Sequence, residues 1–279
     1  MKKSPKPNST ERPVINVTDS TLLPNHGEKS VLSAWNISFF GAIVILVSLP
    51  LFHPDPYLRI LKFIPDGILA TFTVTLTAIF FALILGLIAG LGRISQNKII
   101  RLIATIYVEV IRGIPLLVQL FYIYFALPAL FKKLHWDSVI HLDGPSSAVI
   151  AMAVCYGAYM AEIFRSGIQA IPKGQMEAAF ALGMSRAQAM IKVIIPQTIK
   201  IILPPIGNEF IALLKDSSLV SILAVSDLLR RGREFASTSF MYFESYTVVA
   251  LVYLVMTLFF SRLVTMMEKK LRHTSGTNN

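Results

Sequence analysis

The residue types that most often perform chemistry are not grouped for catalysis in this sequence. The five histidines, at positions 26, 53, 135, 141 and 273, fall outside the long apolar stretches and lack the spacing of metal ligands. The single cysteine, Cys155, lies within an apolar stretch, so no disulfide or CxxC pair can form within the chain. No combination of nucleophile, histidine and acid is recognisable. We therefore predict no catalytic residue and no metal site, and we expect a protein that is not an enzyme.

Four polar residues within or at the ends of apolar stretches are better candidates for a functional site: Gln119, Glu162, Asn208 and Glu209. Ionisable groups in lipid are costly unless they face a cavity or a partner. A carboxylate such as Glu162 would suit the amino group of a zwitterionic or cationic substrate, and Gln119 would either line a pathway or pack in the core. The alternative for the carboxylates is a structural pair with a basic residue. The basic residues available for such pairs are Arg112, Arg165 and Lys215.

Two further polar groups favour structural roles. Glu109 and Arg112 lie three residues apart, which places them on one helical face and predicts a local ion pair. In the sequence Lys-Asp-Ser-Ser that begins at Lys215, Asp216 or Ser217 is predicted to cap the helix that follows.

The composition indicates the elements that must position these residues. The chain has 279 residues, of which 54% are hydrophobic, and a mean hydropathy of +0.63, which is typical of an integral membrane protein. Because the apolar stretches lack the alternation of barrel strands, helices must span the bilayer. The formal net charge of +10 is scattered among short loops instead of forming one face, so we expect no nucleic-acid partner.

Six apolar stretches are long enough to cross a bilayer, which takes about 20 helical residues. They span 31–52, 67–91, 103–131, 147–165, 194–214 and 245–266. We expect Pro115 to kink the third stretch and Pro196, Pro204 and Pro205 to break the fifth. Two shorter pieces, 57–64 and 219–229, are predicted to be an interfacial helix and a re-entrant or interfacial helix. Residues 1–30 are predicted to be a disordered cytoplasmic tail.

The distribution of basic residues predicts the orientation. Six spans place both termini on one side of the membrane. If that side is the cytoplasm, the inside segments hold 17 Lys and Arg residues and the outside segments hold seven. The positive-inside rule favours this arrangement. The sequence therefore predicts a multi-pass membrane protein with both termini in the cytoplasm.

The polar stretch 172–196 lies between two spans and is predicted to be a cytoplasmic hairpin of two helices. Pro172 suits a first helical position. Gly183 suits the left-handed position that ends a helix, because it has no Cβ. Ser185 with Gln188 forms a capping box that begins the second helix.

The same stretch carries a recognisable pattern. Glu177-Ala178-Ala179, Gly183 and an ending of apolar residues at Val193 and Ile195 before Pro196 resemble the EAA signature of the permease subunits of ABC importers. Val193 and Ile195 depart from the usual Ile and Leu, but both changes nearly preserve side-chain volume. Three other stretches, 109–119, 159–175 and 207–221, resemble the branch of this family that takes up polar amino acids.

The resemblance implies an all-α polytopic membrane protein of the bacterial cytoplasmic (inner) membrane. Its permease domain would span 60–270, as a five-helix ABC importer permease core. Residues 31–56 would add one extra N-terminal transmembrane helix, and 271–279 would form a cytoplasmic tail. The function implied is ATP-driven import of polar amino acids by alternating access.

The resemblance also implies the partners of this subunit. These are two ATP-binding cassette subunits, a second permease chain that is identical or related, an extracytoplasmic substrate-binding protein, an amino-acid substrate and the lipid bilayer. The first hairpin helix would lie in a groove of the ATPase, where Ala178 and Ala179 permit close approach and Glu177 offers a carboxylate. Gly183 would set the angle to the second helix.

The chain itself lacks a GxxxxGK[ST] loop, so we expect no cofactor on it, with ATP and Mg bound by the partner ATPase. The alternative function is a secondary amino-acid transporter driven by an ion gradient, in which the intramembrane carboxylates would relay the ion. Such a carrier would not need the hairpin.

Overall fold

A computed structural model describes residues 34–135 and 143–276 of the chain, and these residues form helices joined by short turns. Six helical segments among them are long and apolar enough to cross a membrane. This result confirms the all-α polytopic class. The predicted tail at 1–30 lies outside the described residues. The predicted tail at 271–279 begins inside the last helix, which continues to Gly276.

The extra N-terminal helix lies on the outside of the bundle. Helix α1 spans Ala34–Phe52, and its buried share is only 6%. Near its start, the indole of Trp35 donates a hydrogen bond to the carbonyl of Leu258 at 3.1 Å, and the Arg262 guanidinium lies 4.9 Å from the indole ring. The helix is therefore attached to the last helix of the bundle and leaves most of its surface to lipid or to a partner.

The centre of the bundle is a close pair of long helices, α3 (Pro65–Arg93) and α7 (Gly144–Gln169). Glycines make the close approach possible. A Cβ on Gly90 would lie 2.8 Å from the carbonyl oxygen of Ala161 and 2.9 Å from Cβ of Phe164, and a Cβ on Gly86 would overlap Met160. Small residues at such contacts let membrane helices pack backbone to backbone. Helices α3 and α7 therefore form one rigid unit.

The third predicted span is divided in the structure. Helix α4 (Lys98–Gly113) ends before Ile114, which is extended (φ −107°, ψ 129°), and a second helical segment begins at Leu116. This segment comprises α5 (Leu116–Phe121), a π-helical turn at Tyr122–Ala126 and α6 (Leu127–Lys133). The predicted kink at Pro115 is thus a complete break, because proline disfavours the helical conformation of the residue before it. Only Leu116–Lys133 qualifies as a span.

The fifth span is continuous where we expected a break. After α8 (Lys173–Ala181) and α9 (Arg186–Ala189), a π-helical turn leads into α10 (Ile195–Asp216). Pro196 occupies the first turn of α10, and Pro204 and Pro205 lie inside the helix. The prolines do not end the helix because each fixes a helical φ and removes only one backbone donor, and neighbouring helices can compensate for that loss in membranes.

The structure also differs from the prediction of one short helix at 219–229. A 3₁₀ helix spans Ser217–Leu223 and ends at Ala224 in the left-handed conformation, after which α11 (Leu228–Ser239) begins. Asp216 does not cap the 3₁₀ helix. The cap belongs instead to Asp227, whose carboxylate accepts hydrogen bonds from the backbone N–H groups of Leu229 and Arg230. The chain then ends with α12 (Tyr242–Gly276).

Helix α2 (Pro54–Phe63) forms a layer with α11 at one end of the bundle. Its buried residues Tyr57 and Ile60 pack in a cluster with Leu228 and Phe235 of α11 and with Val248 of α12. The predicted interfacial piece at 57–64 is therefore a helix that is anchored by apolar contacts to its neighbours. We call this end of the bundle the far end and the opposite end, which carries α8 and α9, the hairpin end.

Candidate coupling hairpin and polar clusters

The hairpin has the predicted two-helix form. Helix α8 starts at Lys173. Pro172 is its N-cap (ψ 136°) and not, as we expected, its first helical residue. At its end, the N–H of Met184 donates to the carbonyl of Ala179 (3.1 Å) and that of Gly183 donates to the carbonyl of Phe180 (2.9 Å). This is the Schellman pattern. It requires the left-handed φ of +75° found at Gly183.

The second helix begins as the sequence predicts. The Ser185 hydroxyl accepts from the backbone N–H of Gln188 at 3.3 Å, and the Gln188 side chain accepts from the backbone N–H of Ser185 at 2.9 Å. The capping box is therefore confirmed. Two local sequence signals, the glycine and the box, fix the turn between α8 and α9.

The two alanines of the EAA pattern face different surroundings. Ala179 is only 3% exposed, whereas Glu177 and Ala178 are exposed. The exposed surface also includes Phe180 (46%) and Leu182 (79%). Helix α8 therefore rests on its own chain through Ala179 and presents a carboxylate, a small residue and two apolar side chains to its surroundings.

A cavity of about 650 Å³ lies beneath α8. Met176 and Phe180 of α8 line it, together with Ile94 after α3, Ile168 in α7 and Ile194 before α10. Part of α8 therefore borders open space between it and the ends of these helices.

Glu162 is held by two arginines. Its carboxylate accepts a hydrogen bond of 2.6 Å from Arg93 of α3 and two from Arg165, one turn further along α7. The side chain is 28% exposed. The structural pairing of Glu162 with Arg165 that the sequence suggested is therefore present. Arg93 is a second partner that sequence spacing could not identify, because it lies 69 positions from Glu162.

The predicted local pair of Glu109 with Arg112 is replaced by other contacts. Glu109 pairs with Arg93 at 3.4 Å. Arg112 lies over the ring of Tyr159, 5.2 Å from its centroid. Spacing along one helix showed which side chains share a face, but the neighbouring helices α3 and α7 offer better partners.

A second polar cluster lies within the membrane-spanning part. Glu209 lies within electrostatic range of Arg112 and Asp216, and the Tyr156 hydroxyl donates to Asp216 at 2.8 Å. Asp216, predicted as a cap, therefore takes part in this cluster, and Tyr156 was missed. Asn208 is exposed on the neighbouring surface of α10. The ionisable character of Asp216 inside a span was the signal available in the sequence.

Gln119 closes the break between α4 and α5. Its Nε2 donates to the carbonyls of Ile111 and Ile114, both at 2.8 Å. The side chain is 6% exposed. Unpaired carbonyls are costly at membrane depth, so the amide stabilises the break. Gln119 also lines a cavity of about 220 Å³ between α4, α5 and α7.

The part of the chain that the structure describes thus combines six membrane-length helices with a capped hairpin at one end, the form of a membrane-spanning subunit with a surface for a partner. A family model described as "Binding-protein-dependent transport system inner membrane component" matches residues 82–273. The chain belongs to this family and is a multi-pass inner membrane protein. The match leaves α1, α2 and the first part of α3 outside it.

Relatives agree with this assignment. The probable glutamine ABC transporter permease protein GlnM of Bacillus subtilis (strain 168) is 38% identical over 206 residues, 74% of this chain and 92% of that protein. The glutamine transport system permease protein GlnP of Escherichia coli (strain K12) is 36% identical over 207 residues, with 74% and 92% covered. The crystal structure of an amino acid ABC transporter with histidines superposes with a TM-score of 0.70 at 41% identity and covers 76% of this chain and 96% of that chain.

These findings identify the chain as the permease subunit of an ABC importer. It is a translocation subunit and not an enzyme, and the ATPase is a separate subunit. The alternative of a secondary transporter is not supported.

Proposed function

We propose that this permease imports a polar amino acid and that helix α8 couples the import to ATP hydrolysis by two ATP-binding cassette subunits. The observation that carries the proposal is the rigidly capped hairpin, which stands off the bundle above a cavity of about 650 Å³. The relatives named for glutamine and amino-acid transport support the substrate class. The charge distribution supports a cytoplasmic hairpin end and cytoplasmic termini.

The residues proposed for coupling are Glu177, Ala178, Ala179 and Gly183. Exposed Ala178 permits close approach of the ATPase surface, and Glu177 offers it a carboxylate. Buried Ala179 instead lets α8 pack closely on its own chain. Gly183 fixes the direction of α8 relative to α9. Each of the four residues thus has a separate role in the hairpin.

The residues proposed for the substrate pathway are Asn208, Glu209, Gln119 and Glu162. Glu209 supplies a carboxylate for the amino group of the substrate, and exposed Asn208 faces the second permease chain or the pathway between the two chains. Gln119 contributes mainly by stabilising the break at Pro115. Glu162 is the weakest of the four, because Arg93 and Arg165 already neutralise its charge. An extracytoplasmic binding protein would deliver the substrate at the far end.

The test is uptake of a panel of labelled polar amino acids into proteoliposomes. The vesicles hold this chain with its co-purifying ATPase, and the matching binding protein is added outside. We expect uptake that requires ATP inside. Ala178→Phe should abolish this uptake by blocking the partner surface, whereas Ala187→Phe, an exposed alanine on α9, should not. Uptake without ATP, or equal uptake by the two variants, would contradict the proposal.

A further inference from the structure

One arginine, Arg93, joins three helices at the hairpin end of the bundle. Glu162 of α7 pairs with Arg93 at the end of α3, and Arg93 also pairs with Glu109 of α4. Arg165 completes the cluster from α7 itself. The two arginines and two glutamates balance in charge. Arg93 is only 14% exposed, so its link to Glu162 is the least hydrated of these pairs and the one that joins two helices most directly.

The cluster adjoins the hairpin through two short paths. Gln169, the last residue of α7, accepts a hydrogen bond from Arg165 and also lines the cavity beneath α8. Ile94, which follows Arg93, lines the same cavity. Only residues 170–172 separate α7 from α8. A displacement of α8 therefore acts on the two backbone segments that the cluster joins.

Contacts outside the cluster also hold these helices together. Gly86 and Gly90 hold α3 against α7. Helix α4 is attached by buried Ala104 and Val108 and by the hydrogen bond from the Tyr107 hydroxyl to the carbonyl of Val154 at 2.7 Å. The ion pairs are thus an additional connection beside the last of these glycine contacts, at the end of α3 nearest α8.

We propose that Glu162 is a positioning residue for coupling: its link to Arg93 makes the ends of α3 and α7 follow α8 together. Without the link, α8 would still bind the ATPase, but the end of α3 would be joined to α7 only by the glycine contacts and would follow α8 less closely. The proposal rests on the proposed function of α8. It assigns Glu162 a role in transmission rather than in substrate binding.

The far end offers a matched control. Glu234 of α11 accepts hydrogen bonds from Arg230 at 2.8 Å and Arg231 at 2.9 Å, and Arg231 also pairs with Asp66. This cluster likewise contains two arginines and two acids, and Glu234 is 33% exposed against 28% for Glu162. Removing the charge of Glu234 perturbs a similar cluster that has no path to α8.

The experiment compares Glu162→Gln, Arg93→Gln, their double variant and Glu234→Gln in proteoliposomes with the ATPase and a glutamine-loaded binding protein. The measured quantity is glutamine imported per ATP hydrolysed. We expect this ratio to fall about fivefold or more in Glu162→Gln and Arg93→Gln, the lower end of coupling between distant sites. The double variant should be no worse than either single one, because both break the same link. Glu234→Gln should retain the ratio.

Two results would overturn the inference. One is an unchanged ratio in Glu162→Gln, and the other is an equal loss in Glu234→Gln, which would indicate a general effect of disturbed charge clusters. If Glu162→Gln is not recovered in membranes, Arg93→Gln decides alone, since it breaks the link and leaves Glu162 paired with Arg165. Absence of ATP-driven uptake by the unmodified complex would instead refute the proposed function.

Discussion

Substitution of Gly183 should weaken coupling without disturbing the membrane spans. The residue has a φ of +75°, and a Cβ at this position would meet no atom within 4 Å. The cost of Gly183→Ala is therefore conformational and not steric. An L-residue in the left-handed region costs about 1–2 kcal/mol, which is a factor of roughly 5–30 in an equilibrium. Valine should cost more and asparagine less, because β-branched residues tolerate this region poorly and asparagine tolerates it well.

The assay is binding of the ATPase subunit to the purified permease variants, followed by ATP-driven uptake. If only a hairpin with the native angle binds, the affinity falls by up to this factor for Gly183→Ala, and the order of affinities is Gly, Asn, Ala, Val. Gly174 supplies the control, because it also has open space around its Cβ position but lies within α8 without a positive φ. Gly174→Ala should be neutral or stabilise the helix by up to ~1 kcal/mol. Equal binding by Gly183→Val and the unmodified protein would refute the reasoning.

Three further predictions concern the bundle. Burial raises the pKa of Asp227 from its usual 3.8 to about 6, against the opposing effect of hydrogen bonds from the backbone N–H groups of Arg230 and Leu229. The folded state therefore binds the proton more firmly than the unfolded state, so stability should fall by up to ~3 kcal/mol as the pH rises from 4 to 6. Asp227→Asn should keep the cap and flatten this dependence in thermal unfolding; an unchanged slope would contradict it. Gly86→Leu should prevent close packing of α3 on α7 and reduce the folded yield in detergent. Gly41→Leu should not reduce the yield, because no atom lies within 4 Å of the Cβ position there. Equal yields of the two variants would disprove the steric account. Gln119→Leu should leave two carbonyls unpaired and lower the free energy of unfolding by about 2 kcal/mol or more. Gln175→Leu on exposed α8 should lower it little. Similar losses in the two variants would show that the amide does not stabilise the break.

Local sequence signals predicted the hairpin almost completely. The left-handed glycine and the Ser185 box act within a few residues, so their types and spacing are sufficient. The spans were also predictable, since their length and hydropathy reflect the bilayer. The predicted interruptions at prolines were less accurate, because the kink at Pro115 is a complete break and the break at Pro204 and Pro205 is absent. At Pro115 the helix ends, and Ile114 before it is extended. Pro204 and Pro205 lie in a helix that continues. Proline type alone does not decide between these outcomes, because packing against other helices does.

The partners of charged side chains were the least predictable feature. Arg93 lies far from Glu162 in sequence, and their contact depends on the close packing that Gly86 and Gly90 allow. For the same reason, Asp216 was assigned to a local cap and not to Tyr156. Apolar periodicity identifies the face of a helix that is buried, but it does not identify which neighbouring helix covers that face.

The break at Pro115 lies between the two polar clusters, and this arrangement bears on how movement reaches the substrate pathway. On one side, α4 is joined to α3 and α7 by the Arg93 pairs and by Tyr107. On the other side, α5 leads to the interior, and the Gln119 amide connects it to the last carbonyls of α4. Arg112 lies just before the break, next to Tyr159 and in the electrostatic environment of Glu209. A movement transmitted through Glu162 to α4 would therefore displace Arg112 relative to Glu209 while α5 keeps its place. If this is correct, Gln119→Leu should alter import per ATP in the same direction as Glu162→Gln, and an unaltered ratio in folded Gln119→Leu protein would show that the break does not lie on the route.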